Sequence, residues 1–182
     1  MGGRSYNIGE QAAPVWTERA AICCDLLDPA IAEHAVASLS DIGCGDQKLK
    51  RLIKQRGWAL SYRGFDIIPQ SDEVEPLDLN LAAPPGHADV AAALGLLEYV
   101  DDVGACLGRL AEHAPMLVVS HTTRDGDIYS AEMQRERGWK NHLYASEFAA
   151  LLTDHGWGVA DERATLDRRT RIWLAKLADG RR

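Results

Sequence analysis

The stretch "ASLSDIGCGDQKLKRLIKQRG", residues 37–57, constrains the fold more than any other part of the chain. "ASLSDI" reads as a short buried strand that runs directly into two glycines. "DQKLKRLIKQRG" then reads as an amphipathic helix. Leu49, Leu52 and Ile53 form its apolar stripe, Asp46 stands where a cap is expected, and Gly57 ends it.

The rest of the chain repeats that alternation. "WALSYRGFDI" reads as a second strand ending near Asp66, and "DEVEPLDL" as a weaker strand whose Pro76 places it at a sheet edge. "HADVAAALGLL" is the fourth strand. Asp101 or Asp102 caps the helix "VGACLGRLAEH", and "MLVVS" has the fully apolar character of a central parallel strand. Ser146 is the expected cap of "SEFAALLTDHG", closed by Gly156. "GVADERATLDRRTRIWLAKLA" reads as two strands joined by a charged turn. Upstream, Thr17 caps a helix through about Leu27, and Asp28-Pro29 reads as a stop before a fresh helical start.

Alternation of this kind implies a parallel sheet with helices on both faces, and the closing pair implies an antiparallel edge. The expectation is a three-layer α/β/α sandwich with a mostly parallel sheet of about seven strands. It forms a single domain over 1–182, with an N-terminal helical segment at about 12–36 and a substrate-side insertion at about 121–145. That connection is long for a compact domain, and such connections are often functional lids.

Charge and cysteine content remove several function classes. The net charge is −7 and the pI about 5.3, which argues against a broad nucleic-acid surface. No apolar run is long enough for a membrane span, and the first residues lack a signal core. Cys23, Cys24, Cys44 and Cys106 have neither disulfide-framework nor zinc spacing. Reduced thiols point to the cytoplasm.

Ligands of open α/β sheets bind beyond the carboxyl ends of the strands, where "GCG" lies. A phosphate loop needs a Gly-Lys-Ser/Thr sequence, which is missing here. A dinucleotide fingerprint needs a third glycine, but Lys48 stands there, and Asp46 would repel a pyrophosphate. S-adenosylmethionine has no phosphate and carries a cationic sulfonium. Asp41 is placed to attract its ammonium. Asp66, about twenty residues on, is placed to accept from ribose hydroxyls. Asp78 is placed to accept from the adenine amine.

"SDIGCGDQKL", "YRGFDI", "PLDLN" and "DVAAALGLLEYVDD" resemble the successive motifs of class I S-adenosylmethionine-dependent methyltransferases, in order and spacing. The resemblance covers about positions 15–178. It implies that Asp41, Gly43, Cys44 and Gly45 line the methionine part. It implies that Asp66 and Ile67 hold the ribose and flank the adenine, and that Asp78 and Leu79 meet the base. Leu94 and Gly95 are implied beside the transferring methyl. Ser40 departs from the usual apolar residue and is expected to weaken strand packing slightly.

Methyl transfer needs an aligned nucleophile and exclusion of water. A hydroxyl acceptor also gains from a base, worth about 10²–10⁴-fold. His121 follows the fifth strand and His142 lies in "GWKNHLY", so both are catalytic candidates. His34 and His113 are expected at the surface. Asp125 or Asp127 with the two histidines would suggest a metal, but no ligand pair has i, i+4 spacing, so none is expected. Tyr99, Arg124, Tyr129, Trp139 and Tyr144 are candidates for the acceptor pocket. The expected substrate is a small molecule or glycan, bearing a hydroxyl, in a natural-product or surface-polysaccharide pathway. A homodimer is left open. Two other readings stay open: an NAD-dependent oxidoreductase, and a SAM-binding protein without transferase activity.

Overall fold

The computed structural model describes residues 14–33, 35–125 and 129–178. His34, Asp127 and the outermost residues of the expected N-terminal segment lie outside the described residues. The elements are α1 (Pro14–Ala32), β1 (Ser38–Ile42), α2 (Lys48–Gln55), β2 (Ser61–Asp66), β3 (Val74–Pro76) and β4 (Val90–Leu94). Then come α3 (Val103–His113), β5 (Met116–Thr122), α4 (Ala131–Glu136), α5 (Ala145–Asp154), β6 (Trp157–Ala164) and β7 (Thr170–Leu177).

One seven-stranded sheet runs β3-β2-β1-β4-β5-β7-β6. β1 pairs in parallel with both β2 and β4, and β4 with β5. β7 is antiparallel to β5 and to β6. The antiparallel strand therefore sits inside the sheet, and β6 takes the edge. Pro76 closes the three-residue β3 at the other edge, where its missing N–H removes no ladder bond.

The sheet is buried on both faces. Leu39, Val90, Ala92, Val118 and Ile172 pack under α1 and α2 with Cys23, Cys24, Leu27, Leu49 and Ile53. Ala91, Ala93, Leu117, Val119 and Trp173 point the other way, into Leu107, Leu110, Phe148, Leu152 and Trp157. This two-sided burial explains why β4 and β5 read as continuous apolar runs.

Five expectations need correction. α1 runs through Pro29 as a single helix. Its apolar face, from Ala20 to Leu27, packs across the sheet and carries the helix past a proline that removes only one N–H. Asp46 does not cap α2. Gln47 takes that position at φ 60°, and Asp46 instead pairs with Lys48 and Arg51 at 2.5 and 3.0 Å. α5 begins one residue before Ser146: Glu147 accepts from the Tyr144 N–H at 2.8 Å, and Asp125 accepts from the Ala145 N–H at 3.0 Å. His113 is buried. Its Nδ1 donates to Gly86 O, and its Nε2 accepts from Ser40 Oγ, each at 2.9 Å. Ser40 thus braces the strand through a satisfied buried hydrogen bond rather than weakening it. Asp102 is the cap of α3, accepting from the Ala105 N–H at 2.9 Å.

Candidate active site

β1 ends in Ile42, and the chain then turns through Gly43 at φ 74° and Gly45 at φ 50°. Both angles lie in the left-handed region that favours glycine. The N–H groups of Gly43 and Cys44 both donate to Phe65 O at 2.8 and 3.0 Å, which fixes the turn against β2. A Cβ on Gly43 would stand 3.1 Å from Leu96 Cδ1. Beyond this turn opens a cavity of about 330 Å³ at the carboxyl ends of β1, β2 and β4. Asp41, Gly43, Cys44, Gly45, Asp66, Ile67, Asp78, Leu79, Leu94 and Gly95 all line it.

The polar lining is mainly acidic. Asp41 is 4% exposed and accepts from Tyr62 Oη at 2.7 Å. Burial pushes its carboxyl up to about 7. The Tyr62 hydrogen bond opposes that shift, and the nearby Asp66 and Asp46 charges add to it. Asp66 Oδ2 accepts from the Gly45 N–H and Oδ1 from the Ile68 N–H, each at 2.9 Å. Each oxygen retains acceptor capacity for a ligand hydroxyl. Asp78 Oδ1 accepts from Asn80 N and Nδ2, both at 2.9 Å, and Asn80 in turn accepts from the Asp101 N–H at 2.7 Å. The two lysines on the wall, Lys48 and Lys140, are ion-paired to Asp46 and Asp101. Burial raises the Cys44 thiol well above its ordinary range, so it lines the wall as a small apolar group.

A family profile described as "Methyltransferase domain" matches residues 15–162. The chain belongs to the class I S-adenosylmethionine-dependent methyltransferases. The fold is shared with a chain of the complex between the Haloferax volcanii Trm112 methyltransferase activator and a putative methyltransferase. That match has 17% identity, 89% of this chain, 97% of that one and a TM-score of 0.65. Magnesium protoporphyrin IX methyltransferase (ChlM) from Synechocystis PCC 6803, solved with bound SAH, matches at 16% identity, 93% and 90% coverage and TM-score 0.66. Mitomycin 7-O-methyltransferase MmcR matches at 23% identity and TM-score 0.68 over 92% of this chain but 55% of its own. No curated protein matches the sequence at a significant level.

The cofactor of this methyltransferase family is S-adenosylmethionine, and the cavity suits it. The wall is acidic, its lysines are already neutralised, and the glycine turn leaves room for close backbone approach. A pyrophosphate would meet Asp46, Asp66 and Asp78 instead of free cations.

The acceptor-side candidates of the methyltransferase divide. Tyr99 lines the cavity, and Trp139 lies within hydrogen-bonding reach of it. Tyr129 packs edge-on against Trp139 at 5.1 Å, and His142 lies 5.5 Å from Trp139 and 6.0 Å from Tyr129. Arg124 instead covers the Tyr144 ring at 4.9 Å, and of all these candidates only Tyr99 lines the cavity itself. His121 is 0% exposed within β5. Its ring stacks on Phe148 at 4.9 Å, and its Nε2 accepts from the Leu143 N–H at 3.2 Å. Burial lowers its pKa, so the imidazole is neutral.

Sequence reasoning missed several wall residues. Trp16 and Ala20 of α1, Leu96, Val100, Asp101 and Lys140 also line the cavity. The signal for Trp16 and Ala20 was their i, i+4 spacing, which puts both on one helix face. Lys140 arrives because its own N–H and that of Asn141 donate to Glu98 O, at 2.7 and 3.1 Å. Among the described residues, no helix is long and apolar enough to cross a membrane, and no cluster of His, Cys, Asp or Glu is arranged to hold a metal.

Proposed function

We propose that this methyltransferase moves the methyl group of S-adenosylmethionine onto a hydroxyl of a small-molecule or glycan acceptor in a biosynthetic pathway. The observation that carries the proposal is the lining of the cavity: the glycine turn with Asp41, Asp66 and Asp78, together with the rings of Trp16 and Tyr99. When bound, the cofactor supplies an electrophilic methyl on a sulfonium that departs as a neutral thioether. Asp41 balances the amino-acid end, Asp66 accepts from the ribose hydroxyls, Ile67 and Leu79 flank the base, and Asp78 accepts from its amine. Gly43, Cys44, Gly45, Leu94 and Gly95 leave room along the methionine part.

Tyr99, Trp139 and Tyr129 form the acceptor wall of this reading. His142, grouped with Trp139 and Tyr129, is the candidate base. We assign His121 to packing, because its acceptor nitrogen is occupied by Leu143 and its ring by Phe148. Arg124 and Tyr144 are assigned to the surface of the insertion. Oxygen as the acceptor atom follows relatives whose printed names specify it, such as mitomycin 7-O-methyltransferase and the neocarzinostatin O-methyltransferase NcsB1.

Calorimetric titration with S-adenosylmethionine and with NAD tests the cofactor half. Tight NAD binding without S-adenosylmethionine binding would falsify it. Asp66→Ala is expected to weaken cofactor binding about tenfold or more, by loss of a charged acceptor. An acceptor screen reading S-adenosylhomocysteine release tests the transfer half. His142→Ala should lower kcat on any acceptor found, and unchanged turnover would remove His142 from the mechanism.

A further inference from the structure

Arg19 is 5% exposed and lies on α1 one helical turn after Trp16. Its Nη2 donates to Thr122 Oγ1 of β5 at 2.9 Å and to Thr170 Oγ1 of β7 at 2.8 Å. Its charge is compensated nearby. The buried Glu98 carboxylate accepts from the N–H of the same Thr122 at 2.8 Å, and Asp167 lies within range of the guanidinium. The guanidinium carbon lies over the Trp16 ring, 4.4 Å from its centroid.

Trp16 and Gly95 line the cavity, and Arg19 does not. Arg19 Nη1 and the Trp16 ring together occupy the space that a Cβ on Gly95 would need. Gly95 is itself pinned, at φ 71° with its N–H donating to the buried Ser120 Oγ at 2.8 Å. The Trp16 ring thus rests on a fixed backbone and under a tethered guanidinium. Trp16 is only partly buried, and a side chain on a cavity wall keeps one rotamer only when its neighbours lock it. A strut from α1 to β5 and β7 would need no more than a hydrogen-bond donor. A planar guanidinium stacks on a ring and donates from its edge at the same time, which an ammonium cannot do.

We infer that Arg19 is a positioning residue for the cofactor site: it holds the Trp16 ring against Gly95, where the ring walls the methionine part of S-adenosylmethionine. The inference rests on the placement of the cofactor in this cavity. It adds a cofactor-contacting residue, Trp16, and the residue that fixes it. Arg19 itself touches no ligand and acts through the ring.

The test reads affinity for S-adenosylhomocysteine by calorimetry, so it needs no acceptor. Arg19→Lys keeps a cation near Glu98 but gives up the planar stack. It is expected to weaken S-adenosylhomocysteine binding about twofold to thirtyfold, the span of a cation–π contact from exposed to desolvated. Trp16→Leu should weaken it at least as much. In the Trp16→Leu background Arg19→Lys should add no further loss, because the ring through which it acts is gone. Additive losses in this cycle overturn the inference. Unchanged affinity in Arg19→Lys also overturns it, and a Tm lowered at the same time would mark Arg19 as a strut alone. A measurement on the wild-type protein covers poor folding of the Arg19 variant. The Trp16 indole N–H signal, assigned with Trp16→Phe, should shift as S-adenosylhomocysteine saturates the protein, and a signal that stays in place overturns the inference. Failure of the wild-type protein to bind either S-adenosylhomocysteine or S-adenosylmethionine would instead strike the reading of the cavity itself.

Discussion

Asp41 is the residue whose surroundings make the sharpest quantitative demand. Its pKa is raised to about 7 in the folded protein, chiefly by burial. A cationic ammonium beside it favours the carboxylate. Cofactor affinity is therefore expected to rise as pH increases through about 7, with proton release below that value. Calorimetry in buffers of different ionisation enthalpy reads the proton directly, and Asp41→Asn should flatten the profile. Tyr62→Phe removes the hydrogen bond that favours ionisation and should move the profile to higher pH. For the free protein the sign is reversed. A raised folded pKa contributes stability that is complete below the unfolded carboxyl value and lost as pH rises through about 7.

Two glycines provide a paired test at the same scale. Gly95 has φ 71° and no room for a Cβ, so Gly95→Ala should destabilise the fold by about 1–3 kcal/mol and loosen α1. Gly108 lies inside α3 with open space around it, so Gly108→Ala should stabilise by about 0.5–1 kcal/mol. Urea denaturation separates the two outcomes. The sequence showed the Gly43–Gly45 turn clearly, because a glycine pair between a strand and a helix has few other uses. It did not show that His121 is enclosed, since a histidine two residues beyond an apolar run reads the same whether the strand stops or continues. β5 continues through Thr122, which places His121 inside the sheet.

Among the elements, the connection from β5 to α5 is held to the cavity rim by a small set of bonds. Asn141 Nδ2 donates to Leu97 O at 3.2 Å and Val100 O at 2.6 Å, and the N–H groups of Lys140 and Asn141 share Glu98 O. Asn141→Ala should cost about 1–2 kcal/mol locally, through loss of two hydrogen bonds. Faster amide exchange over 138–144 with little change in global unfolding is the expected pattern. Uniform protection across this segment would show that the clasp lies elsewhere. The regular elements were legible because their apolar periods are strong. The caps were less so. Asp46 had a better use pairing with Lys48 and Arg51, and α5 found its first acceptors in Glu147 and Asp125 rather than Ser146. Pro29 misled for a related reason, since the tertiary packing of α1 outweighs a local break.

For the whole molecule, the cavity draws on α1, on turns after β1, β2, β3 and β4, and on Lys140 from the connection between β5 and α5. A ligand that bridges so many segments should stabilise the entire fold. At a hundredfold excess over Kd the expected gain is about 2.7 kcal/mol, seen as a rise in Tm with S-adenosylmethionine but not with NAD. An equal rise with NAD would contradict the acidic character of the wall. The overall architecture was readable from alternation alone. The place of α1 over Gly95 was not, because it depends on a contact between residues far apart in the chain.

The position of β7 has a consequence for how the molecule is made. β5 receives its outer neighbour from residues 170–177, whereas every other partner of the parallel sheet precedes it. During synthesis the apolar β5 therefore emerges from the ribosome well before the strand that seals it. Through that interval its bare edge is a template for pairing with another nascent chain. Arg19 and Thr170 meet only when β7 docks, so the bond that ties α1 to the sheet beside Gly95 is made at the last step.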